Sequence, residues 1–556
     1  MKAWWRSFWF LQYDRKLFRF DLLAGLTAGA VVIPKAMALA TVAGLPVEVG
    51  LYTAFVPMVA YAVLGTSRRL SVSTTTILAL LTLAELSRVA PGAGTGDLIV
   101  AAATLACLVG AILVAASLLR LGFIANFISA PVLTGFKAGV GLVIVVDQLP
   151  KLFGFHIDKA GFFRDLISLG RHLPETHVAT LVLALGAVAV LVTFERFLPR
   201  VPAALVAVAA AIGVSAWLGL AGRGVELVGA VPAGLPAFSL PDLSLVRLLL
   251  PGALGIALMA FVESIAAGES FTRHGEPSPD ANRELFAVGA GNLLGGLFQA
   301  FPAGGGISQT AVTSAAGART QLAGLITAVV AVVTMLFLAP LIALLPLAAL
   351  AAIVVVVSVP MMNPAAFAAI LRVRKTEFIW AIVTLVGVVL LGTLQGILVA
   401  VALSVLTIFY QANRPPVYAL GRKRGTNVFR PLDKYPDDET FPGLLIVRTE
   451  GRLNFASAPR TRGKFNALID KHSPRVVVLD LSAVPDVEYT ALKLIDEAEE
   501  RLSDHGVTVW LAALNPRALD VVRRSPLGKR LGNERMFAAV EEAVEAYLRR
   551  NNAAGR

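Results

Sequence analysis

A chain of 556 residues, 56% hydrophobic and only 15% charged, with a mean hydropathy of +0.74, carries more long apolar runs than a soluble core buries. It reads as a polytopic membrane protein, and its net charge of +12 is an orientation signal, not a nucleic-acid footprint, because most Lys and Arg flank apolar segments. One cysteine, Cys107, excludes an internal disulfide framework, and His156, His172, His177, His274, His472 and His505 lack metal-ligand spacing, so neither a metal nor a cofactor is expected.

Residues 1–20 alternate aromatic and basic side chains, as suits an amphipathic helix on the cytoplasmic membrane face, and they lack the small-residue cleavage site of a secretory signal. The stretch 21–411 is read as the transmembrane domain. Its apolar segments fall at about 22–40, 49–65, 72–87, 98–119, 123–147, 178–195, 201–220, 246–268, 284–300, 307–318, 321–343, 345–359, 378–393 and 395–411. That makes fourteen, of which the third and tenth are short and interrupted.

Those two stand out chemically. The tenth, within FPAGGGISQTAVTSAAGART (301–320), puts a proline and three glycines ahead of a short helical run that opens with Ser308, Gln309 and Thr310. The third, within RRLSVSTTT (68–76), likewise puts hydroxyl groups before a short apolar run. Irregular backbone is tolerated at membrane depth only where it is buried in protein or lines a cavity, and a pair of such segments in corresponding halves points to a midplane binding site. Two facing half-helix N-termini present unpaired N–H groups and positive dipole ends, which favour an anion. Ordinary small-residue helix packing is the competing reading.

With the N-terminus placed inside, the inner connections hold Arg68, Arg69, Arg120, Arg196, Arg200, Arg273, Arg283, Arg319, Arg372, Arg374, Lys375, Arg414, Arg422, Lys423 and Arg424, whereas the outer ones are poorer in charge, with Arg88, Lys151, Lys159, Arg164, Arg171 and Arg223 mostly in the longer loops. Fourteen spans then put both termini in the cytoplasm. The count divides into seven and seven, and because seven is odd the second copy enters from the opposite side, as inverted repeats do. Span three then corresponds to span ten, and span one to span eight. The last two each carry a charge in apolar surroundings, Lys35 and Glu263.

Glu263 lies roughly 18 Å along its helix from Pro251 at about 1.5 Å per residue, too deep to snorkel outward. An intramembrane acid is a functional hypothesis by default, here as the proton- or cation-coupling group. The competing reading is a constitutive ion pair with Lys35. Lys35 follows Pro34, which disrupts its helix, and stands near the midplane, where a cation attracts an anion. Glu48, Glu269 and Glu284 are read as interface residues at span ends.

After Tyr410 the composition changes. Residues 412–440 are rich in Arg, Lys, Pro and Asp and are expected to be a linker. Residues 441–550 alternate strand-like runs (Leu444 to Val447, Arg475 to Leu481, Val507 to Leu511) with helical stretches at about 458–472, 490–504, 515–525 and 536–549, the pattern of a small α/β domain.

The run LLAGLTAGAVVIPKAMALATVAGLPVEVGLYTAFVPMVAYAVLGTSRRLSVS, with GLPAF, NRELFAVGAGNLLGGLF and FPAGGGISQTAVTSAAGARTQLAG in order after it, resembles the sulfate permease (SulP) family of anion transporters. The C-terminal domain resembles their STAS domain. The resemblance implies an α-helical polytopic fold of fourteen spans in a seven-plus-seven inverted repeat with core and gate domains, a small cytoplasmic STAS-like domain, a homodimer, and a substrate site between the ends of spans three and ten. On that basis Lys35, Ser73, Thr74, Thr75, Gly305, Gly306, Ile307 and Ser308 are assigned to substrate and Glu263 to coupling. The chain departs from the family at Lys35, where Gln is usual, and at Ser73-Thr74, where Gly-Pro often stands. In VVVLDLSAVPDVEYTALKLI, Thr490 occupies the position of the phosphorylatable hydroxyl, with Glu488 and Ala491 in place of the usual Asp and Gly. A helix-capping role for Thr490 is the alternative.

The reading is a secondary active transporter of a small anion, inorganic (such as sulfate or bicarbonate) or carboxylate, coupled to a proton or sodium ion and working by alternating access in the plasma membrane. Its expected partners are the anion, the coupling ion, membrane lipid, a second copy of the chain and a cytoplasmic partner of the STAS-like domain. The alternatives are a nucleobase permease of the same architecture, an anion channel, and a sensor that signals through the C-terminal domain. An enzyme is not expected, since no paired catalytic carboxylates, metal cluster, P-loop or nucleophile–base pattern occurs.

Overall fold

The computed structural model describes residues 9–127, 129–157, 161–198 and 201–554, and the first eight residues of the aromatic-basic N-terminus, with Lys159 and Arg200, lie outside them. The chain divides into two compact units, Met1–Ser404 and Val405–Arg556.

In the first unit, counting the last helix that runs past its end at Ser404, each of the fourteen apolar segments meets a helix. The first half holds α1 (Phe18–Val42), α2 (Val47–Leu64), a two-residue strand β1 (Val72–Ser73), α3 (Thr76–Val89), α4 (Thr95–Leu118), α5 (Ala130–Phe153), a connecting helix α6 (Phe162–His172), α7 (Val178–Phe197) and α8 (Ala203–Leu218). The second half holds α9 (Leu243–Ser270), α10 (Ala281–Leu297), strand β2 (Gly304–Gly305), α11 (Ile307–Ala315), α12 (Leu322–Ile342), α13 (Leu347–Ser358), a further helix α14 (Pro364–Val373), α15 (Lys375–Leu391) and α16 (Thr393–Ala412). Among the described residues, 8 helical stretches are long and apolar enough to cross a membrane. The broken α3 and α11, at 14 and 9 residues, are not, which is what half-helices require.

Several boundaries differ from the sequence reading for local reasons. The fifth segment was expected at 123–147, but its helix starts at Ala130, because Pro131 sits in its first turn where a missing N–H costs nothing. The ninth was expected at 284–300 and begins at Ala281, where Asp280 caps it by accepting from the Asn282 and Arg283 N–H groups, both at 3.0 Å. Pro251 lies inside α9 rather than at its start. Residues 9–20 form two short 3-10 turns and the first turn of α1, not one separate amphipathic helix.

The spans sort into two bundles. In one, α10 packs on α4 and α2, α12 packs on α1 and α2, and α9 packs on α4. In the other, α5 packs on α15 and α13, and α7 packs on α13 and α8. Thus spans one to four associate with spans eight to eleven, and spans five to seven with twelve and thirteen, as two interlocked copies of one unit require. Small residues bring the backbones together: a Cβ on Gly110 of α4 would stand 2.4 Å from the Leu293 nitrogen of α10, and one on Gly135 of α5 would stand 2.0 Å from the Ala381 carbonyl oxygen of α15.

The second unit is built on a six-stranded sheet. β3 (Val417–Arg422), β4 (Phe429–Pro431), β5 (Leu444–Thr449), β6 (Val476–Asp480), β7 (Thr508–Ala512) and β8 (Met536–Phe537) lie in the order β4-β3-β5-β6-β7-β8, parallel from β5 to β8 and antiparallel at β3 and β4. Its helices are α17 (Ala458–His472), α18 (Tyr489–Asp504), α19 (Pro516–Arg523), α20 (Pro526–Leu531) and α21 (Val540–Ala554). Both sheet faces are covered, so β6 is apolar at every position but its last. Val477 and Leu479 pack with Phe465 and Leu492 on one face, and Val476 and Val478 with Val544 and Tyr547 on the other. The stretch 412–440, expected as a linker, instead supplies β3 and β4. Its charged residues sit on this half-exposed edge, where Arg422 pairs with Glu439 at 2.8 Å and Arg430 with Asp438 at 2.5 Å.

Candidate substrate site

The two interrupted segments meet. β1 and β2 pair antiparallel, Val72 opposite Gly305 and Ser73 opposite Gly304, so that α3 and α11 begin side by side from the crossing. Thr75 is the N-cap of α3 and Gly306 that of α11. The first-turn N–H groups of both helices lack intrahelical partners and point back to the same place.

Side chains from neighbouring helices satisfy the irregular backbone around the crossing. Asn292 of α10 donates to the Ala303 carbonyl at 2.9 Å and accepts from the Ala303 N–H at 2.8 Å. Ser264 of α9 accepts from the Gly305 N–H at 2.7 Å, and Thr53 of α2 from the Phe301 N–H at 3.2 Å. Gln309 donates to the Thr74 carbonyl at 2.8 Å, while its side-chain oxygen accepts from the Ser73 hydroxyl at 3.1 Å. Gln321 donates to the carbonyls of Ser67 and Leu70 at 2.8 and 2.9 Å. Sequence reasoning passed over Asn292, Ser264, Thr53 and Gln321. Their signal is a polar residue at a helix position otherwise read as apolar.

A cavity of about 270 Å³ opens at the two half-helix ends. Its walls include Lys35, Thr75, Thr76, Ile77, Glu263, Gly306, Ile307 and Ser308 from the first bundle, and Lys137, Val357, Pro360 and Met361 from the second. Of the residues assigned to substrate from sequence, Lys35, Thr75, Gly306, Ile307 and Ser308 therefore share one cavity with Glu263. Ser73, Thr74 and Gly305 do not line it. Ser73 and Thr74 are fully buried in the crossing, and a Cβ on Gly305 would stand 2.9 Å from the Ser264 Cα, so that residue is a packing glycine.

Lys35 and Glu263 are held separately. The Lys35 ammonium donates to the Ser308 hydroxyl at 2.5 Å, and the Glu263 carboxylate accepts from the Thr75 hydroxyl at 2.7 Å. Among the described residues the two form no ion pair within 4.0 Å. A constitutive Lys35–Glu263 bridge is thus replaced by two hydroxyl contacts, one at each half-helix end. Lys35 also lines a second cavity of about 280 Å³, bounded by Val31 and Thr27 one and two turns back along α1 and by Glu195 at the end of α7. Lys35 stands where the two cavities adjoin.

Other charges are structural. Glu284, read as a span-end interface residue, is fully buried; it accepts from Tyr61 at 2.8 Å and the Thr66 N–H at 2.7 Å, and also from the Thr66 hydroxyl. Arg69, counted among the inner cations, is buried. It makes a bidentate pair with Glu276 at 2.8 and 2.6 Å and donates to the Ala318 carbonyl at 3.0 Å. Burial opposes ionisation of Glu276, but the Arg69 guanidinium and the Arg273 N–H outweigh it and hold this carboxyl below its usual range. In the second unit Thr490 is exposed at the second position of α18, and Glu488 is the N-cap residue, so Thr490 does not cap the helix.

A model of the sulfate permease family matches residues 18–384, and a STAS domain model matches residues 435–543. A probable sulfate transporter of Mycobacterium tuberculosis is 36% identical to this chain over 548 residues, 97% of each. The chloroplastic sulfate transporter 4.1 of Arabidopsis thaliana is 30% identical over 98% of this chain and 82% of its own. Among solved structures, SLC26A9 shares the fold with a TM-score of 0.89 over 98% of this chain and 92% of that one, at 24% identity. The transmembrane domain of a cyanobacterium bicarbonate transporter, BicA, gives 0.60 over 70% of this chain and 98% of its own, at 26% identity.

Proposed function

The chain belongs to the sulfate permease family, a family of membrane transporters and not of enzymes, and from that premise we propose that it is a secondary transporter of a small inorganic or carboxylate anion, driven by symport of a proton or other cation. The observation that carries this reading is one cavity, walled by both bundles, that holds two half-helix N-termini, Lys35 and the Glu263 carboxylate. The N–H groups and the lysine attract an anion, with Thr75, Gly306, Ile307 and Ser308 around it and Ser73, Thr74 and Gly305 bracing the crossing behind.

An ionised Glu263 repels the same anion across a few ångströms of low-dielectric space. Protonation or a bound cation removes that repulsion, so anion and coupling ion bind together by charge alone. Because the walls come from two bundles, rocking one against the other exposes the cavity to each side in turn, which is alternating access. Residues 21–411 are the transport domain in this reading, and 441–550, with β3 and β4 added to the edge of its sheet, the STAS-like domain. Both termini are cytoplasmic in the plasma membrane, the working form is a homodimer, and exposed Thr490 and a cytoplasmic partner regulate it.

The test is uptake into proteoliposomes with sulfate, bicarbonate, dicarboxylates and nucleobases. Wild type should accumulate an anion under an inward proton gradient. Glu263→Gln should keep anion exchange and lose gradient-driven accumulation. A stable Glu263→Gln protein that remains fully coupled would move the coupling site elsewhere.

A further inference from the structure

The cavity holds a second cation. Lys137 sits in GFKAGVGL on α5, in the bundle opposite to Lys35 and Glu263. Gly135 and Gly139 dock one face of α5 closely on α15, where a Cβ on Gly139 would stand 2.8 Å from the Val388 Cβ. Lys137 lies two residues from each, on the other side of the helix. Gly141, one turn further along on that side, packs against Met361, which is itself a cavity wall. The glycine docking thus fixes the lysine toward the cavity. Lys137 is partly buried and, among the described residues, makes neither a hydrogen bond nor an ion pair. Its electrostatic partner is Glu263 across the cavity, so whenever that carboxylate is neutral the lysine is costly unless something that comes and goes supplies the countercharge.

We propose that Lys137 is the charge-selecting residue of the transport site: it answers the second negative charge of a doubly charged anion whose first charge is held at the half-helix ends beside Lys35. This rests on the transport reading above. Among the described residues, Lys35, Lys137 and Glu263 are the only ionisable side chains that line the cavity. With Glu263 neutral the lining carries two positive charges and matches a dianion; with Glu263 ionised it carries one and matches a monoanion. Removing Lys137 lowers both by one, so the dianion loses its match in every protonation state. Since Lys137 belongs to the other bundle, the same contact draws the two walls together over a dianion.

Full-length protein in proteoliposomes, at one fixed pH, is loaded with the anion that wild type carries and challenged with sulfate and oxalate against nitrate and formate. Expected is a fall of about tenfold or more in the dianion-to-monoanion preference for Lys137→Met, the loss of a hydrogen bond to a charged group. Lys137→Arg should keep the wild-type preference. If Lys137→Met does not fold, Lys137→Cys in a Cys107→Ala background takes its place: an aminoethyl thiol reagent should restore the dianion preference, and a neutral reagent of equal size should not. A folded, transporting Lys137→Met with the wild-type ratio, or equal rescue by both reagents, overturns the proposal. Wild type that carries no anion in the panel would overturn the transport reading itself, a different result.

Discussion

Lys35 is held by a hydroxyl and Glu263 by another, and this separation decides what removing either charge should do. Breaking a buried ion pair leaves an uncompensated charge and costs about 3–5 kcal/mol. No such pair joins these two, so Glu263→Gln should leave the thermal unfolding midpoint of the detergent-solubilised protein close to wild type. Glu276→Gln should lower it by several degrees, because Arg69 is buried and its bidentate partner would be gone. The pH dependence has a definite sign. Glu276 titrates below its unfolded value, so its contribution is complete above the unfolded pKa, near 4.3, and is lost as pH falls through the lower folded value. Glu276→Gln should therefore remove part of the acid destabilisation seen in wild type. At this scale the sequence reveals which residues are unusual but not their partners. Glu263 and Lys35 are conspicuous as charges in apolar runs; Lys137 is a charge in an apolar run too, but its place in the cavity wall, opposite the glycine face of α5, shows only in the fold.

At the scale of the element, the crossing of β1 and β2 depends on neighbours more than on itself, since each strand has two residues. Asn292 satisfies both the N–H and the C=O of Ala303 at full burial. Asn292→Ala orphans both groups at about 1–3 kcal/mol each. The expected result is a lower unfolding midpoint together with weaker anion binding, measured by substrate-induced stabilisation. Glycines separate packing from substrate contact. Gly305→Ala forces a Cβ to 2.9 Å from the Ser264 Cα and should destabilise the fold. A Cβ on Gly306 meets no backbone, only the Gln309 side chain at 3.0 Å, which Thr74 and Ser73 hold in place, so Gly306→Leu should block the cavity at some cost in stability through that brace. Wild-type affinity in folded Gly306→Leu would remove the α11 end from the site. The broken segments were legible because Pro, Gly and hydroxyl residues interrupt an apolar run, and their pairing because they fall in corresponding places. The braces were not legible, because an amide on a helix shows nothing of the irregular backbone it faces. Strands β3 and β4 were missed for a related reason: an edge strand with charged residues looks like a linker until its partner β5 is known.

For the whole molecule, two copies of an odd-numbered unit bind the topology to a parity. Glu175 is exposed between the fifth and sixth spans and Ser503 is exposed on α18 of the second unit, so spans six to fourteen, an odd number, separate them. The positive-inside pattern puts Glu175 outside and Ser503 inside. Helix α8 has 16 residues and α10 and α15 have 17 each, lengths of roughly 24 and 26 Å at 1.5 Å per residue, so each must cross a locally thin hydrocarbon layer for the count to hold. In a Cys107→Ala background, a membrane-impermeant maleimide on intact cells should label Glu175→Cys, and should reach Ser503→Cys only after lysis. Labelling of both from outside would mean an even number of crossings between them, so that one of the short helices does not span. The half containing it could then no longer be the inverted copy of the other, and the two half-helices would enter the membrane from the same side instead of meeting end to end.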